Sequence, residues 1–156
     1  MDRQQIEHYA AGADVPAQAI GGLTTEDLLA TPVPGTWSIQ QIVLHLMDSD
    51  LIGSDRMKRI AAEDRPTLLG YDETAFASTL GYEHLDVAMA AELFRLNHLL
   101  TAEVLRRLPD ETFERIGLHN ERGRETLSEM LQDYIDHLDH HMDFVRQKRA
   151  LLGKPL

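Results

Sequence analysis

The sequence predicts an all-α four-helix bundle with a long crossover connection, on three observations. Two segments, 39–62 and 127–152, open on capping-box pairs, Ser38 with Gln41 and Thr126 with Glu129, and continue with apolar residues at helical spacing. Helix breakers at Pro32, Pro34, Gly35, Pro66, Gly70, Gly81, Pro109, Gly117 and Gly123 leave room for about four long helices. The chain has 156 residues, which one hydrophobic core can serve, so a single domain over 1–156 is expected.

Helix one is placed within residues 2–21, where Gly12 and Pro16 interrupt the pattern. The following segment, GLTTEDLLATPVPGTW, reads as a loop because its prolines disfavour helix. Helix two begins after Ser38, with Trp37 and Ile42 as a hydrophobic staple. It carries Ile39, Ile42, Val43, Leu46 and Met47 as a buried stripe and runs to about Ala62. Residues 63–82 form the crossover, with at most a short helix over Glu73–Ser78. Helix three spans about Leu85–Leu108, with Ala88, Ala91, Leu93, Leu96, Leu99, Leu100, Val104 and Leu108 available for burial. A loop containing Gly117, Asn120 and Gly123 leads to helix four, which starts after Thr126 and runs to about Leu152.

Composition removes several function classes. A net charge of -11 repels nucleic acid and anionic membranes, and no apolar segment reaches the about 18 residues of a membrane span. Neither is therefore expected as a partner. No basic start followed by an apolar stretch marks a secretory leader, so the expected location is cytoplasmic. Cysteine is absent, which excludes disulfides and thiolate ligands from the protein itself.

The chemistry lies in the histidines. His137 and His141 stand four residues apart, so both project from one face of helix four, beside Met130, Tyr134, Leu138 and Val145. Neutral imidazole is a common ligand of zinc, nickel and iron, and coordination satisfies ring nitrogens that an apolar core leaves unpaired. His45, within the apolar run QQIVLHLM, is the best candidate for a third ligand. His140 offers an alternative register at i,i+3 from His137.

The run WSIQQIVLHLMDSDLIGSDRMKRIAAEDRPTLLGYDETAFA, followed later by HNERGRETLSEMLQDYIDHLDHHMDF, resembles the DinB-like superfamily, particularly its YfiT-like metal-dependent hydrolases. The matching motifs are a tryptophan and capping serine (Trp37, Ser38), H-L-x-D-S (His45, Asp48, Ser49) and H-x-x-x-H (His137, His141). The resemblance implies an unusual four-helix bundle, often a homodimer, in which His45, His137 and His141 bind a divalent ion, zinc or nickel above all. Relatives also include S-transferases that use low-molecular-weight thiols.

Three histidines leave a metal at least one open position, as catalytic sites do. Metal-assisted hydrolysis of a small molecule is the leading reading. The others are S-transfer with a small thiol as partner, and a metal-stabilised stress-response binding module without turnover. Asp48, three residues after His45, is the candidate catalytic carboxylate, to orient an imidazole or accept a proton. Arg56, three turns beyond His45, is expected to pair with a buried carboxylate, with an anionic substrate group as the alternative. Asp133, His98 and His119 read as surface side chains, and Trp37 as packing.

Overall fold

The computed structural model describes residues 3–156. The first predicted helix is two, α1 (Gln4–Ala11) and α2 (Val15–Ile20). Its expected first residue, Asp2, lies outside the described residues. The break falls at Gly12, where a Cβ would overlap the Leu138 side chain, so the glycine lets α1 close onto the last helix. The segment read as loop contains a short helix, α3 (Thr25–Leu29), opened by a Thr24–Asp27 capping box.

α4 (Ile39–Ala62) starts on the Ser38–Gln41 capping box, with both reciprocal hydrogen bonds present. After it come β1 (Thr67–Leu68) and α5 (Glu73–Thr79), then α6 (Val87–Arg107), capped by Asp86. The segment before the last helix, read as loop, forms β2 (Ile116–His119) and β3 (Gly123–Thr126), an antiparallel hairpin with β1 added in parallel to β2. α7 (Leu127–Leu151) opens on the Thr126–Glu129 capping box.

The bundle is built around α4, which packs against both α6 and α7, while α1 touches α6 and α7 from the other side. Three buried clusters line α4: Met57 and Ile60 with Tyr9 and Leu131; Ile42 and Leu46 with Phe94 and Met142; Val43 and Leu44 with Ala77 and Tyr82. No helix is long and apolar enough to cross a membrane among the described residues.

The inward face of α6 departs from expectation. Its buried residues are Val87, Ala90, Ala91, Phe94, His98, Thr101, Ala102 and Leu105, while Leu93, Leu96 and Leu100 are 42%, 52% and 61% exposed. Small and polar side chains at 90, 91, 98 and 101 face the bundle, and His98, predicted as a surface residue, is at the centre of that face. Ala91 is buried as expected, but hydrophobicity alone misplaces Leu93, Leu96 and Leu100, because a histidine with both ring nitrogens hydrogen-bonded can take the inner face in their stead.

Candidate metal centre

Two local devices bring α4 and α7 into register. Gly53 on α4 leaves room for the Tyr134 ring, which a Cβ at that position would overlap, so α7 approaches closely one turn before His137. Near the start of α4, Trp37 lies against His45, with ring centroids 5.0 Å apart. His45 is thereby fully buried, and His137 and His141 are half-buried on the facing side of α7.

The three sequence-predicted histidines converge. One ring nitrogen from each of His45, His137 and His141 lies within 4.8 Å of the others, and His45 Nε2 stands 3.1 Å from His137 Nε2. Metal–imidazole bonds of about 2.0–2.1 Å require donor separations close to this. A hydrogen bond accounts for the His45–His137 contact alone, but His141 Nδ1 is buried with no hydrogen-bond partner among the described residues. His140 is exposed, its ring against Phe144 at 4.7 Å, and it lies outside the convergent set.

Burial, then the neighbouring imidazoles, depresses all three rings below the ordinary histidine range: His45 to about 3, His137 to about 4 and His141 to about 4. All three are therefore neutral at neutral pH, with lone pairs free to coordinate. Three nitrogen donors without thiolate fit a borderline divalent ion and leave open positions.

Around the rings the structure places groups that sequence reasoning missed. Glu73, from the crossover helix α5, has Oε2 3.9 Å from His45 Nε2, and burial raises its carboxyl pKa against the opposing effect of Arg56. Tyr71 Oη lies 3.5 Å from His45 Nδ1. Both belong to the irregular crossover, where no periodicity announces which side chains turn inward. Ser49, Arg56, Tyr71, Glu73, Arg122, Tyr134 and His137 line a polar cleft of about 260 Å³. On the other flank, Val33, Trp37, Ile42, His141, Phe144 and Lys148 line a mainly apolar cleft of about 420 Å³.

Asp48 is half-buried and accepts a hydrogen bond from Tyr82 Oη at 2.5 Å. Arg56 is buried but, contrary to the expected carboxylate pairing, donates to Tyr134 Oη at 3.1 Å and to the Leu69 carbonyl. Asp133 is exposed and pairs with Arg122 at 3.2 Å. His119, read as exposed, is buried in the hairpin, where its Nδ1 accepts from the backbone of Glu121 at 3.2 Å. His98 is not part of the cluster: Nδ1 meets Asp50 Oδ1 at 2.6 Å and Nε2 meets the Tyr9 carbonyl at 2.7 Å.

Comparison with known proteins agrees with this arrangement. The DinB superfamily model matches residues 9–145. The chain is 29% identical over 145 residues to a Bacillus subtilis protein named "Putative metal-dependent hydrolase YfiT", covering 90% of this chain and 81% of that one. It is 30% identical over 130 residues to a Bacillus licheniformis protein also named as a putative metal-dependent hydrolase, covering 82% and 74%. The solved structure of Bacillus subtilis YfiT, described as "a probable metal-dependent hydrolase with an unusual four-helix bundle topology", superposes with a TM-score of 0.90. That alignment has 26% identity and covers 96% of this chain and 86% of the other. A DinB-like protein of Bacillus subtilis shares the fold at a TM-score of 0.67 and 16% identity, covering 96% of this chain and 92% of that one. This chain belongs to the DinB superfamily.

Proposed function

We propose that the protein is a divalent-metal-dependent hydrolase acting on a small molecule at the His45, His137 and His141 centre. The observation that carries the reading is the meeting of three neutral imidazoles, one buried and two half-buried, from helices that share no sequence proximity, with one ring nitrogen unpartnered among the described residues. The names of the similar bacterial proteins support the same reaction class. When bound, a zinc- or nickel-type ion supplies Lewis acidity and a source of hydroxide near neutral pH.

The remaining work falls to the protein. His45, His137 and His141 supply neutral donors and leave positions open toward the clefts. Glu73 takes the proton of the attacking water and returns it to the leaving group, so that the hydroxyl ends on one product and the proton on the other. Its raised pKa suits that exchange. Arg56 and Tyr134 steady the polar end of the substrate, and Trp37 keeps bulk water from His45. Asp48 is assigned a positioning role through Tyr82, which its carboxylate holds.

The test is elemental analysis of the purified protein beside a screen of small esters and amides, with zinc or nickel, with and without an added thiol. Thiol-independent turnover that disappears in His137→Ala supports hydrolysis. Turnover that appears only with a small thiol assigns the site to S-transfer. A melting temperature that depends on metal, with no substrate consumed under any condition, assigns it to a non-catalytic module.

A further inference from the structure

The apolar cleft beside His141 contains one group that the hydrolytic reading does not use. Lys148 is only 3% exposed, and its single hydrogen bond among the described residues goes from Nζ to Thr36 Oγ1 at 2.5 Å. Both residues line the cleft. Among the described residues no carboxylate offsets the buried ammonium, and burial holds its pKa below the ordinary lysine range. An uncompensated buried cation is costly, and a side chain that served only to cover apolar surface would extend its amine into water. Nor is the ammonium needed at the helix C-terminus. There the carbonyls of Lys148, Arg149 and Ala150 already accept from the backbone of Leu152, Lys154 and Gly153.

The spacing supplies a ruler. His141, Phe144 and Lys148 fall at i, i+3 and i+7 on α7, so they share one face, and Lys148 lies two turns, roughly 10 Å, beyond His141. Trp37, Ile42, Val33 and the exposed Phe144 ring form apolar walls between the two ends. The volume of about 420 Å³ falls within the range of small-molecule sites, about 300–1,000 Å³.

We propose that this cleft binds the carboxylate-terminated apolar arm of the substrate, with the carboxylate on Lys148, the hydrocarbon between Trp37 and Phe144, and the reacting group at the histidine centre. The substrate class is then a molecule whose scissile bond and terminal carboxylate are separated by an apolar spacer spanning about two helical turns. The assignment of the reacting end rests on the hydrolytic reading, whereas the binding of the arm does not. An uncharged chain of the same shape fills the cleft but leaves the ammonium unpaired, so the site discriminates by charge.

Trp37 is the only tryptophan in the chain and lines the cleft, so its fluorescence reports binding directly. The metal-free and zinc-loaded proteins are titrated with octanoate and with the neutral isostere octanamide. Octanoate is expected to change Trp37 emission saturably and to bind at least tenfold more tightly than octanamide in both forms. Lys148→Met is expected to abolish that preference, and Phe144→Ala, which alters an exposed ring, to weaken octanoate about tenfold without lowering the melting temperature. Equal binding of the two probes by the unaltered protein, a preference that survives in Lys148→Met, or unchanged octanoate affinity in Phe144→Ala would each overturn the proposal. Octanoate binding retained in His45→Ala, a variant designed to lack the metal centre, supports the arm site even if no hydrolysis is found.

Discussion

Two buried histidine environments share α4, and they are opposites. His98 has both ring nitrogens on protein acceptors, the Asp50 carboxylate and the Tyr9 carbonyl, and is stacked between Tyr9 at 3.6 Å and Phe94 at 4.7 Å. Asp50 is fixed in turn by the Tyr9 hydroxyl at 3.0 Å and by Asn97 at 2.6 Å. In the other environment His45, His137 and His141 face one another, the Glu73 carboxylate stands 3.9 Å from His45, and one nitrogen has no partner among the described residues. Burial alone therefore does not mark a ligand. The distinction lies in whether the protein itself completes the hydrogen bonding of the ring, because a ring with both nitrogens engaged leaves neither free for an ion.

The sharpest way to break this comparison is to remove one histidine from each environment. His45→Ala or His137→Ala is expected to lower metal affinity at least ~100-fold, read by elemental analysis after dialysis, whereas His98→Ala retains full metal stoichiometry. Metal loss from the His98 variant would show that the two environments are not independent. Next in size, His98→Ala leaves Asp50 buried without its main partner and should cost about 3 kcal/mol in chemical denaturation.

Acid separates the environments further. In the metal-free protein the three converging rings have pKa values lowered in the folded state, so the unfolded chain binds more protons between about pH 6.5 and the folded values near 3 to 4. Their stabilising contribution is present above pH 6.5 and falls as pH drops, by about 2 kcal/mol or more between pH 7 and 5. Denaturation midpoints of the metal-free protein that stay flat over that interval would contradict the neutral, desolvated state of these rings. The smallest effect is expected from Ser38→Ala, which removes one half of the cap of the helix both environments share and should cost about 1 kcal/mol.

Much of this was legible because it was written in local chemistry. The Ser38–Gln41 and Thr126–Glu129 pairs fixed the starts of α4 and α7, and the i,i+4 spacing of His137 and His141 put both rings on one face. What escaped depends on partners distant in the chain. The burial of His98 is explained by Asp50 and Tyr9, neither of them its neighbour in sequence. The strands at 67–68, 116–119 and 123–126 are too short to carry a periodic signal, and only pairing across the crossover makes them a sheet. Glu73 was invisible as a site residue because it enters from an irregular connection. Lys148 was hidden differently: in sequence it is one more charge at the end of a polar helix, and only the closure of the 33–37 loop over it reveals a cation without an anion.

One consequence follows from the placement of His45 and Asp50 on the same helix, five residues and hence roughly 140° apart around its axis. α4 works as a common axle with a tooth in each of two gears. A small turn of the axle that pressed His45 toward α7 would draw the Asp50 carboxylate away from His98 on α6. The Asp50–His98 contact at 2.6 Å resists rotation and sliding of α4 alike, and so acts as a remote lock on the aim of His45.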